Sequence, residues 1–364
     1  MRILVFGAGA IGSFLGHRLA AAGHDVTLVG RASYVRAVRQ HGLILEHGDG
    51  HRVQAPVSSA VQPRSAPGIA VHPAAAENLA DLPADRRGWE LILLTLKVYD
   101  TVDGMQALAP YLAPGVPVLI VQNGIGGEEL ARQILPEATL ISGVLTLSVS
   151  VLAPGHVRLE TSRGGLSLAP TQVGQGVSSW VALFAAAGLR IATYRDYRAM
   201  KWSKLLLNIQ ANAIPAILDM PPGQVYAHPG LFAVERAAFL EALAVMRALQ
   251  LKVVGFPNYP VLLLAWAMQR LPVALLRPLL TRLVASGRGD KKPSLQMDLA
   301  GGRQRSEALY LNGAVVTYGE PLGVDVAVNR LLLDTLLGIA AGHIPWDGFR
   351  DQPQKLLQEL GMRH

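Results

Sequence analysis

Short, wholly apolar runs alternate with amphipathic stretches through the first half of the chain. MRILVF (1–6) has the pattern of a buried strand. GAGAIG follows, and SFLGHRLAAAG has the spacing of a helix that stops at Gly23. HDVTLVG (24–30) is a second strand, and RASYVRAVRQHG a second helix closed by glycine. WELILLTLK (89–97) and VPVLIVQNG (116–124) are continuous apolar runs of the kind buried in parallel sheets, with TVDGMQALAPYLAPG as a helix between them. TLISGVLTLSVSVL (139–152), HVRLETSRGGLSLAP (156–170) and LRIATYRD (189–196) are strand-rich, and SWVALFAAAG is a helix. Residues 56–88 are rich in Pro, Ala and Ser and read as an irregular excursion with one or two short strands.

Beyond about Arg195 the strand signals nearly vanish. Segments near 199–214, 230–252, 261–285, 294–300, 307–318 and 325–341 have helical periodicity. Strand–helix alternation followed by helices predicts an α/β, doubly wound Rossmann-type domain over 1–194 and an all-α domain over 195–364. A ligand is expected in the cleft between two such domains.

Composition narrows the chemistry. The 364 residues suffice for two cores, and the 51% hydrophobic content is that of a globular protein. No cysteine is present, which excludes disulfides, thiol nucleophiles and cysteine-held metals. This fits a reducing compartment, and the expected location is cytoplasmic. The opening apolar run breaks on glycines, unlike a secretory signal. The most membrane-like segment, Val261 to Ala285, is interrupted by Gln269, Arg270, Pro272, Arg277, Pro278 and Arg282. Buried or interface helices are expected there, with no membrane span; association with a membrane surface is the other reading. The net charge of +7 is scattered, without a dense basic block, so no nucleic-acid partner is expected. Attraction of a small anion explains it as well as a merely solvated surface does.

Gly7, Gly9 and Gly12 form GxGxxG between a strand and a helix, the context that gives this pattern its meaning. Gly7 permits the turn, Gly9 lets a pyrophosphate approach the backbone, and Gly12 packs helix on strand. Ala8, Ala10 and Ile11 complete the loop and first helical turn, whose N–H groups face the phosphates. Where an NAD site places an acid after the second strand, this chain has Gly30, Arg31 and Ser33. A guanidinium suits a 2′-phosphate, so the expected cofactor is NADP. Lys97 and Asn123 end apolar strands at the edge where ligands bind in doubly wound sheets. A solvated strand end and an Asn–Gly turn are the plain alternatives.

In the helical half, AMKWSKLLLNIQANAIP (199–215) carries Lys201, Lys204, Asn208 and Asn212 on a largely apolar background. On one continuous helix these four fall within about 80° of arc, with Lys204, Asn208 and Asn212 spanning about 12 Å of axis. PSLQMDLAGGRQRSEALYLNG (293–313) adds Ser294, Asp298, Arg303 and Glu307. A buried lysine needs a partner or an anion, and burial moves its pKa towards general-acid range. A structural Lys–Glu pair with asparagines capping loops is equally compatible with the spacing.

The chain resembles the ketopantoate reductase family in GAGAIG, the strand-ending Arg31, TLKVYDT, QNGIGGEE, KWSKLLLN with Asn212 following, and SLQMD…SEALYLNGAVV. The resemblance runs through nearly the whole length. It implies a helical half like the C-terminal domain of 6-phosphogluconate dehydrogenase, and NADPH-dependent reduction of a small anionic 2-oxo acid such as 2-dehydropantoate. It also implies that Lys204 is the proton donor and that Asn208, Asn212 and Ser294 bind substrate. Glu307 would be the second catalytic residue, lying near the lysine and cofactor. Lys97 would lie on the cofactor side, as would Asn123, which also touches substrate. Lys201 has no role in this pattern. One extra residue separates Asp298 from Glu307, and Pro222 stands where many members have asparagine. Both 56–88 and 257–290 look long for the family, and the apolar second insert would suit a homodimer. A related enzyme for a bulkier oxo acid and an inactive NADP-binding regulatory protein are the competing readings.

Overall fold

The structure, a computed structural model, describes residues 1–48, 69–161, 163–288 and 292–361. The chain divides into two compact units. One comprises Met1–Gln122, Gly127–Tyr197 and Phe256–Tyr259; the other comprises Asn123–Gly126, Arg198–Gly255 and Pro260–His364.

In the first unit, β1 (Arg2–Phe6), α1 (Ala10–Ala21), β2 (Asp25–Val29) and α2 (Ala32–His41) follow the expected alternation. Next come β3 (Leu43–His47), β4 (Ile69–Val71), β5 (Ala74–Ala76), β6 (Leu91–Leu94), α3 (Thr101–Leu108), β7 (Val118–Val121) and α4 (Gly127–Ile134). The unit ends with β8 (Leu140–Leu145), β9 (Val149–Ala153), β10 (His156–Leu159), β11 (Leu166–Pro170), α5 (Ser178–Ala186) and β12 (Ile191–Thr193). Eight strands form one sheet in the order β12-β11-β8-β7-β6-β1-β2-β5, parallel except for the β11–β8 pair.

Side-chain alternation explains why its central strands read as unbroken apolar runs. Ile3, Val5, Leu91, Leu93 and Leu119 join the core on one face. Leu4, Phe6, Ile92, Leu94, Val118 and Ile120 join the core on the other. Successive residues point to opposite faces, so a strand covered on both sides must be apolar at every position. The winding reverses at β1, which pairs with β2 on one side and β6 on the other. Ligands of doubly wound sheets bind at such a switch point.

A second sheet, β4-β3-β10-β9, was not foreseen. It draws β3 from the end of α2 and β9–β10 from the run read simply as β-rich. The 56–88 excursion lies outside the described residues up to 68. Its remainder contributes β4, β5 and the short 3-10 turns Leu79–Asp81 and Ala84–Arg86.

The second unit is helical, as expected, but prolines divide it more finely than periodicity did. Its helices are α6 (Tyr197–Asn208), α7 (Ala213–Leu218), α8 (Pro222–Ala227), α9 (Pro229–Ala248), α10 (Val261–Arg270), α11 (Val273–Arg288), α12 (Ser294–Ala300), α13 (Asn312–Gly319), α14 (Ala327–Ala340) and α15 (Pro353–Glu359). Pro222 and Pro229 open α8 and α9, where a missing N–H costs nothing. The apolar stretch 261–285 is two helices separated at Leu271–Pro272. No described helix is long and apolar enough to cross a membrane. The expected single helix over 199–214 is also two, with a turn at 209–212.

A buried polar knot ties the long α9 to α13 and α14. Glu241 accepts from the N–H groups of Val328 (2.8 Å) and Asn329 (2.9 Å), capping the first turn of α14. The fully buried Asn329 amide donates to Glu241 (2.6 Å) and to the Ala238 carbonyl (2.9 Å) and accepts from Asn312 (2.9 Å). Burial raises the Glu241 pKa, and the bonds from Asn329 and Val328 oppose that rise. Glu241→Ala would strand these donors. Urea unfolding should show a loss of about 1–3 kcal/mol, smaller for Glu241→Gln, which keeps an acceptor oxygen.

Candidate active site

The glycine loop has a different steric demand at each glycine. Gly7 adopts φ +113°, and a Cβ there would lie 2.5 Å from the Leu96 nitrogen. A Cβ on Gly12 would sit 2.2 Å from the Gly7 carbonyl oxygen, so this glycine lets α1 start directly on the loop. Gly9 differs: a Cβ there would meet nothing within 4 Å. The space beside Gly9 is therefore open, as a phosphate-binding loop requires. Ala8 lies in the loop, while Ala10, Ile11 and Gly12 form the first turn of α1, where N–H groups lack intrahelical acceptors. Thr95, which the sequence reading passed over, locks the loop by donating from Oγ1 to the Gly7 carbonyl at 2.8 Å.

Arg31 is exposed at the start of α2, immediately beyond β2 and Gly30. Behind it, the Ser13 hydroxyl donates to the Tyr34 hydroxyl oxygen at 3.2 Å, joining the first turns of α1 and α2. Burial pushes the Tyr34 phenol up to about 12. Lys97 is half-buried three residues beyond β6, where the 3-10 turn Val98–Asp100 begins. Arg31, Lys97 and the glycine loop thus belong to the sheet-bearing unit, at the carboxyl ends of β1, β2 and β6.

The helical unit gathers the amides. Asn123 follows β7 in sequence but belongs to this unit, because Ile125 donates its N–H to the Tyr310 carbonyl at 2.9 Å. Gly124, at φ +85°, is required there: a Cβ would lie 2.5 Å from that carbonyl oxygen. Asn208 donates from Nδ2 to Asn123 Oδ1 at 3.4 Å. Asn212 donates from Nδ2 to the Asn208 carbonyl at 3.0 Å. Its Oδ1 accepts from the Leu295 N–H at 3.3 Å, beside half-buried Ser294 at the start of α12. A continuous polar line therefore runs from Asn123 through Asn208 and Asn212 to the Ser294–Leu295 peptide.

This line corrects the single-helix picture. α6 ends at Asn208, and Asn212 is the N-cap residue of α7, with φ −130°. Asn212 joins the cluster through the turn, not through a fourth position on one helical stripe. Lys204 precedes Asn208 by four residues on α6 and shares its face. Lys204 is half-buried, whereas Lys201 is only 4% exposed. Glu307 is also 4% exposed and opens the 3-10 turn Glu307–Tyr310, capped by Ser306 Oγ accepting from the Ala308 N–H at 3.1 Å. The longer connection before it is held by Arg303, whose guanidinium meets Asp298 Oδ1 at 2.8 Å. Its Tyr310 carbonyl is the one that holds the Asn123 segment.

The turn between α6 and α7 rests on three residues the sequence reading missed, Gln210, Tyr226 and Glu235. Glu235 had left a signal, being an acid among the core positions Leu231, Val234, Ala238 and Ala242 of α9. Among the described residues, no group of three His, Cys, Asp or Glu side chains is arranged to hold a metal.

Two family descriptions match successive parts of this chain. "Ketopantoate reductase PanE/ApbA" covers residues 3–172, and "Ketopantoate reductase PanE/ApbA C terminal" covers 196–340. The chain belongs to the ketopantoate reductase family. It is 28% identical over 348 residues to the 2-dehydropantoate 2-reductase of Archaeoglobus fulgidus, covering 94% of this chain and 98% of that one. A solved PanE/ApbA family ketopantoate reductase from Ralstonia eutropha JMP134 is 31% identical, with a TM-score of 0.74 over 94% of this chain and 99% of the other. A D-mandelate dehydrogenase solved with NADH and anilino(oxo)acetate shares the fold at a TM-score of 0.75 and 19% identity, over 94% and 99% of the two chains. Ketopantoate reductase family membership makes this chain an oxidoreductase homologue with a Rossmann-type N-terminal unit and a helical C-terminal unit.

The loop geometry separates two substitutions. Gly12→Ala should cost about 1–3 kcal/mol, because its Cβ would meet the Gly7 carbonyl and Thr95 Oγ1, which are bonded to each other. Gly9→Ala should change stability by less than about 0.5 kcal/mol. Urea unfolding of the ligand-free variants checks both.

Proposed function

We propose that this protein reduces a 2-oxo acid to the 2-hydroxy acid with NADPH, the substrate being 2-dehydropantoate and the product pantoate, as in pantothenate biosynthesis. The observation that carries this reading is the polar line Asn123–Asn208–Asn212–Leu295, one helical turn from half-buried Lys204. Residues 1–194 would form the nucleotide domain and 195–364 the substrate and dimerisation domain. Gly7 to Gly12 hold the pyrophosphate, the open side of Gly9 leaving it room. Arg31 meets the 2′-phosphate, a contact that distinguishes NADPH from NADH. Lys97, Asn123 and Glu307 serve the cofactor side.

NADPH, held by the glycine loop and Arg31, would supply the hydride that the keto carbon accepts. Lys204 does the rest of the chemistry. Its ammonium offers positive charge where the keto oxygen gains negative charge, and gives that oxygen a proton as the C=O π bond is broken. Water then reprotonates the neutral amine. Asn208, Asn212 and Asn123 fix the substrate in reacting geometry, and Ser294 bonds its carboxylate. Pro222, buried at the first position of α8, has no side-chain donor for a polar tail. This favours, as a second reading, a more apolar oxo acid; comparing kcat/KM across branched 2-oxo acids decides between the two.

Lys204→Ala should lower kcat by about 10²–10⁴-fold with NADPH binding unchanged, measured by NADPH oxidation and by fluorescence titration. Normal turnover would remove Lys204 from its role. Arg31→Ala should weaken NADPH by about 10- to 100-fold and leave NADH unaffected; equal losses would remove the 2′-phosphate assignment.

We also propose a homodimer through the insert helices. Leu275, Leu279 and Leu283 are 52–65% exposed at steps of four on α11, and Leu262, Leu263 and Trp266 are 52–61% exposed on α10. Sedimentation should give a dimer that Leu275→Glu with Leu279→Glu converts to monomer. A monomeric wild type would end this assignment.

A further inference from the structure

We infer that Glu235 is a positioning residue that sets the substrate amides by clamping the turn between α6 and α7; this rests on the 2-oxo acid reductase reading above. Residues Ile209–Asn212 lie between two helices, and Ala211 is in left-handed conformation at φ +50°, unusual for a residue with a Cβ. The Ala211 N–H donates to Glu235 Oε2 at 2.9 Å, in a buried environment. The neighbouring Gln210 amide donates to the Glu235 carbonyl at 3.1 Å. The Tyr226 hydroxyl donates to Gln210 Oε1 at 2.7 Å, with a longer approach of 3.4 Å to Glu235 Oε2. Glu235, Tyr226 and Gln210 are 2%, 2% and 7% exposed. One carboxylate and its backbone carbonyl, both on the 20-residue α9, therefore hold two consecutive residues of the turn.

The other side of that turn carries the proposed chemistry. Asn208 is the last residue of α6, and Asn212 closes the turn as the N-cap of α7. Their mutual bond, and their bonds to Asn123 and to the Leu295 N–H, are made on either side of the turn that holds left-handed Ala211. An apolar side chain would fill the Glu235 position in the core of α9 equally well, but would leave the Ala211 N–H without this acceptor. The cluster needs an acceptor there rather than bulk, which accounts for an acid at a core position. Glu235 makes no part of the reaction itself; it acts through the backbone of Ala211.

The test measures kcat and KM for the 2-oxo acid, NADPH affinity and Tm in wild type, Glu235→Gln, Glu235→Asp and Glu235→Ala, each with and without Ala211→Gly. Glutamine keeps an oxygen at the same reach and should lose least. Aspartate keeps the carboxyl group but falls short, and should lose about tenfold or more in kcat/KM at unchanged NADPH affinity. Glycine adopts positive φ without strain, so Ala211→Gly should restore part of the aspartate loss. If Glu235→Ala does not fold, the aspartate pair carries the comparison. Wild-type kcat/KM in a folded Glu235→Asp, or a loss that Ala211→Gly leaves untouched, would overturn the inference. A wild type that does not oxidise NADPH with any branched 2-oxo acid would instead overturn the reductase reading itself.

Discussion

The backbone N–H of Ala211, buried and turned into left-handed conformation, needs an acceptor, and Glu235 supplies one at 2.9 Å. Around that bond the helical unit arranges its polar groups. It ends α6 at Asn208 and starts α7 after Asn212. The Asn212 side chain can then bond the Asn208 carbonyl on one side and the N–H of Leu295 on the other. The break exchanges regular backbone bonds for side-chain ones.

The sheet-bearing unit meets an analogous constraint by omission. Its central strands leave no room beyond β1: Gly7 and Gly12 are sites where a Cβ would collide with backbone, while Gly9 faces open space. Close packing fixes the loop from behind, and the open side remains accessible. The same pattern recurs at Gly124, where the Tyr310 carbonyl comes too close for a side chain and the Asn123 segment is thereby seated in the helical unit.

The sheet was readable in the sequence because burial on both faces forces a local signal. LILL at 91–94 and VLIV at 118–121 admit no polar residue, and glycines mark the ends of α1 and α2. The steric demands of the glycine loop and the place of Arg31 directly after β2 were readable for the same reason, being local. The break at 209–212 was not. Asn208, Ile209, Gln210, Ala211 and Asn212 are each tolerable in a helix, and the turn is specified by Glu235, some two dozen residues further on. One local hint existed. Pro215 is comfortable only in the first turn of a helix, so a helix beginning near Ala213 was implied. Asn123 was assigned by its strand, whereas the segment it opens is seated against Tyr310, far along the chain, through Gly124 and Ile125. The second sheet depends on pairing β3 with β10, a long-range choice with no local mark.

Two lysines remain to be distinguished by direct observation. Lys204 shares the face of Asn208, and Lys201, one turn earlier, is the more buried. A crystal structure of the protein with NADP and a 2-oxo acid bound decides between them. The account predicts the keto oxygen within about 3 Å of Lys204 Nζ, with the substrate bonded by Asn208 and Asn212. A keto oxygen that instead meets Lys201, or lies more than about 5 Å from Lys204 with water between, would contradict it.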